Sequence, residues 1–150
     1  TGGDQTHTLC LYLMQRGIRC WYDNKATDVT SKGMKEGVAL SEVFLLFLSK
    51  DVLTRPFVQF ELSEALRLHK KILFVHEIDD KHHKFDFGEF DSATLCDLSQ
   101  VEPGQLGLML QRTQLLTLRS DVESTPWNRK EPWLQASIDT IVQMFDKCFN

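Results

Sequence analysis

Glu61 and Phe57, a carboxylate and an aromatic ring one helical turn apart, are the residues of this chain best placed to do chemistry. They lie in Leu48–Leu62, L-S-K-D-V-L-T-R-P-F-V-Q-F-E-L, which joins an apolar strand to a helix opened by Pro56. Side chains four apart on a helix share a face and lean toward its N-terminus. The positive end of the helix dipole keeps an acid in the second turn ionised. An ionised acid beside an aromatic plate suits a flat, cationic or polyhydroxylated ligand. The same spacing also fits a solvated acid above a core ring, so the pair alone leaves both readings open.

Other candidates converge on the edge where the strands of such a sheet end. Gly2-Gly3-Asp4 reads as a turn before the first helix, with backbone N–H groups free to meet a phosphate. It lacks the Gly-x-Gly-x-x-Gly spacing of a dinucleotide fingerprint. Trp21-Tyr22-Asp23 closes the second strand, and one of its aromatics belongs to the core. Ser49 follows the third strand directly and His76-Glu77 ends the fourth. A Ser49–His76 nucleophilic pair has no nucleophile-elbow sequence behind it. His82, His83 and Cys96 match no zinc spacing, so no metal is expected.

Alternating helix and strand signals set these residues in an α/β fold with a mainly parallel sheet. Thr6 to Arg16 predicts a helix with Leu9 and Leu13 inward, started by Asp4 or Thr6 and ended by Gly17. Ile18 to Tyr22 predicts a strand, Asn24 to Lys32 a surface loop, and Met34 with Val38 a short helix weakened by Gly33 and Gly37. Val43–Leu48 is apolar at every position, as a central strand covered on both faces must be. In the next helix Val58, Leu62, Ala65 and His69 form one stripe, and Phe57, Glu61, Glu64 and Leu68 another. Ile72 to Val75 is a buried strand, and Asp79 to Gln100 a long connection with at most a short helix. Leu115 to Leu118 is taken as the last strand, and Pro126-Trp127 as part of a loop. The final helix follows Glu131-Pro132, with Leu134, Ile138, Ile141 and Phe145 inward.

A doubly wound sheet of order 2-1-3-4-5, with helices on both faces, fits this succession, but no strand precedes the first helix. The missing strand would lie between strands two and three, whose backbone groups would go unpaired. The expectation is that the native protein continues upstream of Thr1, or that something else fills the slot.

The 150 residues, 42% hydrophobic, suffice for one domain spanning 1–150 with a real core. A net charge of −4 with scattered basic residues argues against nucleic acid. The longest apolar run has six residues, far short of the ~20 that span a bilayer. The four cysteines show no C-x-x-C, as expected of reduced thiols in a cytoplasmic protein.

At these residues the chain resembles a Toll/interleukin-1 receptor (TIR) domain. Leu48–Leu62 is similar to the plant-type F-S-K-x-Y-x-x-S-x-W-C-x-x-E-L segment, with Ser49-Lys50, Glu61-Leu62 and the following Ala65 in place. Gly17 and Trp21-Tyr22-Asp23 resemble the G-(I/F)-x-x-(F/W)-x-D strand, and Gly37-Val38 with Ser41 the A-I-x-x-S pattern. Gly3-Asp4 resembles the turn after the family's first strand. The likeness is good over Thr1 to Glu77 and loose beyond. Phe57 and Val58 stand where the family has tryptophan and cysteine, and Ala26-Thr27-Asp28-Val29 replaces L-x-x-G.

The resemblance implies a flavodoxin-like fold and, from the plant-type, NAD-cleaving branch, an NAD+ glycohydrolase with Glu61 as the catalytic residue. NAD+ is then substrate and no cofactor is needed. Gly2, Gly3, Asp4, Trp21, Tyr22, Asp23, Ser49 and Phe57 would bind it. Ordinary glycosidases need a second acid to protonate the leaving oxygen. Nicotinamide leaves a cationic glycoside as a neutral molecule, so one carboxylate can stabilise the oxocarbenium-like transition state alone. The product is ADP-ribose or a cyclised ADP-ribose. The resemblance further implies cytoplasmic signalling in innate immunity or cell death, with self-association or other TIR domains engaged through Asn24–Lys32. The alternative it leaves is a non-enzymatic TIR scaffold for homotypic interactions.

Overall fold

Every residue of Val43–Leu48 is buried, because the strand they form has helices on both sides. The structure, a computed structural model, describes residues 2–15, 17, 20–21, 40, 43–96 and 110–149. Its elements are α1 (Gly2–Gln15), β1 (Cys20–Trp21), β2 (Val43–Leu48), α2 (Pro56–Arg67), β3 (Lys71–Glu77), α3 (Glu89–Ser92), α4 (Arg112–Asp121), β4 (Ser124–Trp127) and α5 (Trp133–Phe149). Short 3-10 turns stand at Val52–Thr54 and Asp80–His82.

The four strands are all parallel and ordered β1-β2-β3-β4. This is the expected 2-1-3-4-5 order with strand 1 left out. Cys20 pairs with Val43 and Trp21 with Phe44, so the strands that would flank strand 1 bond directly to each other.

Alternation along β2 divides the core. Val43, Leu45 and Phe47 pack with Leu9, Cys10 and Leu13 of α1, Trp127 of β4, and Ile138, Ile141, Val142 and Phe145 of α5. Phe44, Leu46 and Leu48 pack with Val58, Leu62 and Ala65 of α2 and with Leu115 and Leu118 of α4. Each fully buried side chain of this size contributes roughly 1.5–3 kcal/mol by leaving water, which makes β2 the strand the fold can least spare. Gly17, at φ +81, ends α1 and returns its N–H to Met14 at 3.0 Å.

Three expectations are corrected. The Gly2-Gly3-Asp4 turn is the first turn of α1, so helix replaces the anticipated loop, although a first turn still leaves its N–H groups without helical partners. Leu115–Leu118 is helix, not strand: it lies in α4, where Leu115 and Leu118, three apart, share the buried face. A reciprocal capping box between Gln111 and Gln114 starts that helix. The last strand is Ser124–Trp127, within the stretch taken as loop. Pro126 is tolerated because β4 pairs on one side only, with β3. Tyr22, Asp23, the Asn24–Lys32 loop and the Met34–Val38 helix lie outside the described residues.

Candidate functional site

The segment after β2 is shaped before it is chemical. Ser49 turns the chain, its carbonyl accepting the Val52 N–H at 3.1 Å. Asp51 takes a left-handed conformation, φ 66, and Val52 and Leu53 are buried beneath it. Pro56 then opens α2 at N1, where a missing N–H costs nothing.

Helix α2 is buried over eight consecutive residues, Val58 to Ala65, polar ones included. Gln59 explains part of this. Its amide donates to the Leu53 and Thr94 carbonyls at 2.8 and 2.9 Å and accepts the Cys96 N–H at 2.9 Å. Glu64 forms a two-point ion pair with Arg67, at 3.1 and 2.8 Å, which raises the guanidinium's pKa.

Glu61 is 4% exposed and engaged with neighbours rather than free. Phe57, one turn earlier, is 46% exposed. The stripe of Phe57, Glu61, Glu64 and Leu68 therefore runs from surface at its first turn to interior at its second and third. Ser49 lies in the turn after β2, and Phe57 and Glu61 in the first two turns of α2 that follows it. Trp21 sits in β1 beside Phe44, and Gly2, Gly3 and Asp4 sit in the first turn of α1.

The other half of the rim follows β3. His76 does not meet Ser49: its Nδ1 is 2.7 Å from Ser124 Oγ, and its ring lies edge-on to Phe87 at 5.0 Å. Burial lowers the His76 pKa, so the imidazole is held neutral and can accept the hydroxyl. Glu77, fully buried, is met by Arg129, whose Nε donates to Oε1 at 2.5 Å. Asp79 is pulled below the ordinary carboxylate range by the Lys81 N–H and by His82. Glu89, 8% exposed, accepts the Asp51 N–H at 2.7 Å. Burial pushes its carboxyl up, against the pull of the Asp51 and Leu53 N–H groups.

Between the two loops lies a cavity of about 700 Å³. Lys50 walls it from the β2 side, and Asp80, His83, Lys84, Phe85, Asp86 and Phe87 from the β3 side. Glu61 and Phe57 do not line it. Among the described residues no group of three or more His, Cys, Asp or Glu is placed to hold a metal. Cys96 carries a free thiol, and Cys10 is buried. No described helix is long and apolar enough to cross a membrane.

Sequence reasoning passed over Gln59, Glu89 and the Glu77–Arg129 pair. Glu77 and Arg129 are 52 residues apart, a pairing no local pattern reveals. For Gln59 a signal existed, since it stands between Val58 and Phe60 on a helix whose apolar stripe is already wide.

A family model described as a TIR domain matches residues 4–108. No curated protein matches the chain.

Proposed function

The chain belongs to the TIR domain family, and from that premise we propose that it is an NAD+ glycohydrolase with Glu61 as its catalytic carboxylate. The observation that carries this reading is the burial of Glu61, 4% exposed, in the second turn of the helix entered from the end of β2. A carboxylate withdrawn from water acts on developing positive charge with far less screening than a surface acid. The C1–nitrogen bond of the nicotinamide riboside breaks with its electron pair going to nicotinamide, which leaves neutral. Water adds at C1 and loses a proton, giving ADP-ribose; capture by the adenine ring of the same molecule gives a cyclised product.

In this proposal Phe57 stacks on a flat part of the substrate. Gly2, Gly3 and Asp4 face its phosphates, and Trp21, Tyr22, Asp23 and Ser49 complete the pocket. Association through Asn24–Lys32 with a second TIR domain activates it, in signalling of the innate-immune or cell-death kind.

Nicotinamide release from NAD+ by the concentrated, assembled chain tests this. Glu61→Gln is expected to lower turnover by about a hundredfold or more, the scale of losing one preorganised charge-stabilising group, with the unfolding midpoint little changed. Equal turnover in the variant removes Glu61 from the chemistry.

The second reading is a non-catalytic TIR module binding other TIR domains. Self-association without any nicotinamide release would decide for that reading.

A further inference from the structure

Of the three non-glycine residues with positive φ in the described chain, His83 lines the cavity between the β2 and β3 loops and Asp51 directly follows Lys50, which also lines it. Such conformations cost about 1–3 kcal/mol each and persist only where surroundings enforce them. Here two hydrogen bonds enforce them. The Lys50 N–H donates to the His83 carbonyl at 2.9 Å, tying one loop to the other. The Asp51 N–H donates to Glu89 at 2.7 Å, tying the first loop to a carboxylate that is 8% exposed. The cavity's two walls are thus fixed to each other and to the core.

Its floor is aromatic. Phe85 is buried, while Phe87 is 37% exposed. Phe87 is held by edge contacts to His76 and Phe85 at 5.0 Å and lies nearly parallel to Phe90 at 6.3 Å. Its walls carry Lys50 and Lys84, neither of which has an ion-pair partner among the described residues. Asp86 turns Oδ1 to the Gly88 N–H at 2.8 Å in its own turn. The volume, about 700 Å³, is that of a small-molecule site, and it opens at the ends of adjacent parallel strands where open sheets take ligands.

We propose that this cavity is a ligand site separate from Glu61, and that it takes a planar aromatic ring bearing an anionic group. The ring lies on Phe87, and the phosphate or carboxylate is held between Lys50 and Lys84. Asp80, on the same wall, leaves a place for a hydroxyl or amine on that ring.

Calorimetric titration of the full chain with phenyl phosphate tests it, with inorganic phosphate and phenol as separate arms. Phenyl phosphate is expected to bind with Kd on the order of 10⁻⁴ to 10⁻³ M, an ordinary efficiency for a ligand of its size. Either fragment alone should bind at least about tenfold more weakly. The double variant Lys50→Gln/Lys84→Gln should weaken phenyl phosphate by about tenfold, and Phe87→Leu, which keeps apolar volume without the ring, by about threefold to tenfold. Glu61→Gln should bind as wild type does, which separates this site from the proposed catalytic one. The absence of saturable binding to the wild type overturns the proposal. So does equal affinity for inorganic phosphate, or full binding by the lysine variant. Retained unfolding midpoints show that the variants are folded.

Discussion

Helix α2 and the rim segment from Glu77 to Ala93 both bury ionisable and amide groups, but they satisfy them differently. In α2, Gln59 spends both ends of its amide on three backbone groups, and Glu64 gives both oxygens to Arg67. At the rim, Glu77 offers Oε1 to Arg129, and Glu89 offers Oε2 to the Asp51 N–H. The remaining oxygens, Glu77 Oε2 and Glu89 Oε1, are the buried side-chain atoms left without a hydrogen-bond partner among the described residues. A buried polar atom left unmade destabilises the fold. Gln59 and Glu64 of α2 therefore serve the fold, while Glu77 and Glu89 at the rim retain capacity the fold does not use.

Arg129→Ala should have the largest effect, because it strands a fully buried carboxylate. Breaking such a pair from one side costs about 3–5 kcal/mol, readable as a shift in the urea midpoint. Glu77→Gln combined with Arg129→Met removes both charges and should recover stability to within about 1 kcal/mol of wild type. A mild effect of Arg129→Ala alone would mean that water already reaches Glu77, and the contrast between the two regions would fail.

The α2 side of the comparison is tested by Gln59→Leu. The change preserves volume but strands the Leu53 and Thr94 carbonyls and the Cys96 N–H. At about 1–3 kcal/mol for each unpaired group, and with water recovering part of it, the loss should be about 2–4 kcal/mol. Slowed exchange is a second readout: the Cys96 amide should be protected in wild type and fast in the variant.

What the sequence made legible follows the same division. The α1 stripe, the all-apolar β2, the proline-opened α2 and the amphipathic α5 were readable because local periodicity and tertiary burial agree there. The region from Gln111 to Trp127 was misread because they disagree. Leu115-Leu116-Thr117-Leu118 has strand-like density, yet only Leu115 and Leu118 are buried, at helical spacing, and Leu116 is exposed. Ser124–Trp127 contains a proline and reads as loop until β3 is known to lie beside it. At the candidate site, the helix that carries Glu61 was legible from Pro56 and the apolar stripe behind it. The cavity was not, since Lys50 and His83 are neighbours only through a hydrogen bond between loops of different strands.

Glu89→Gln should have the smallest effect and distinguishes the two regions most sharply. Burial holds the Glu89 carboxyl above its ordinary value of 4.5 in the folded state. As pH rises past 4.5 the unfolded chain releases this proton first, so the unfolded state gains and stability falls until the folded carboxyl has also ionised. Glutamine keeps an oxygen for the Asp51 N–H and carries no charge to desolvate. The variant should therefore match wild type at low pH and equal or exceed it by about 1 kcal/mol at neutral pH, with a flatter stability profile above 4.5. A loss of stability at neutral pH would show that the charge itself, and not only the hydrogen bond to Asp51, holds the β2 loop. The rim would then use its acid as fully as α2 uses Glu64.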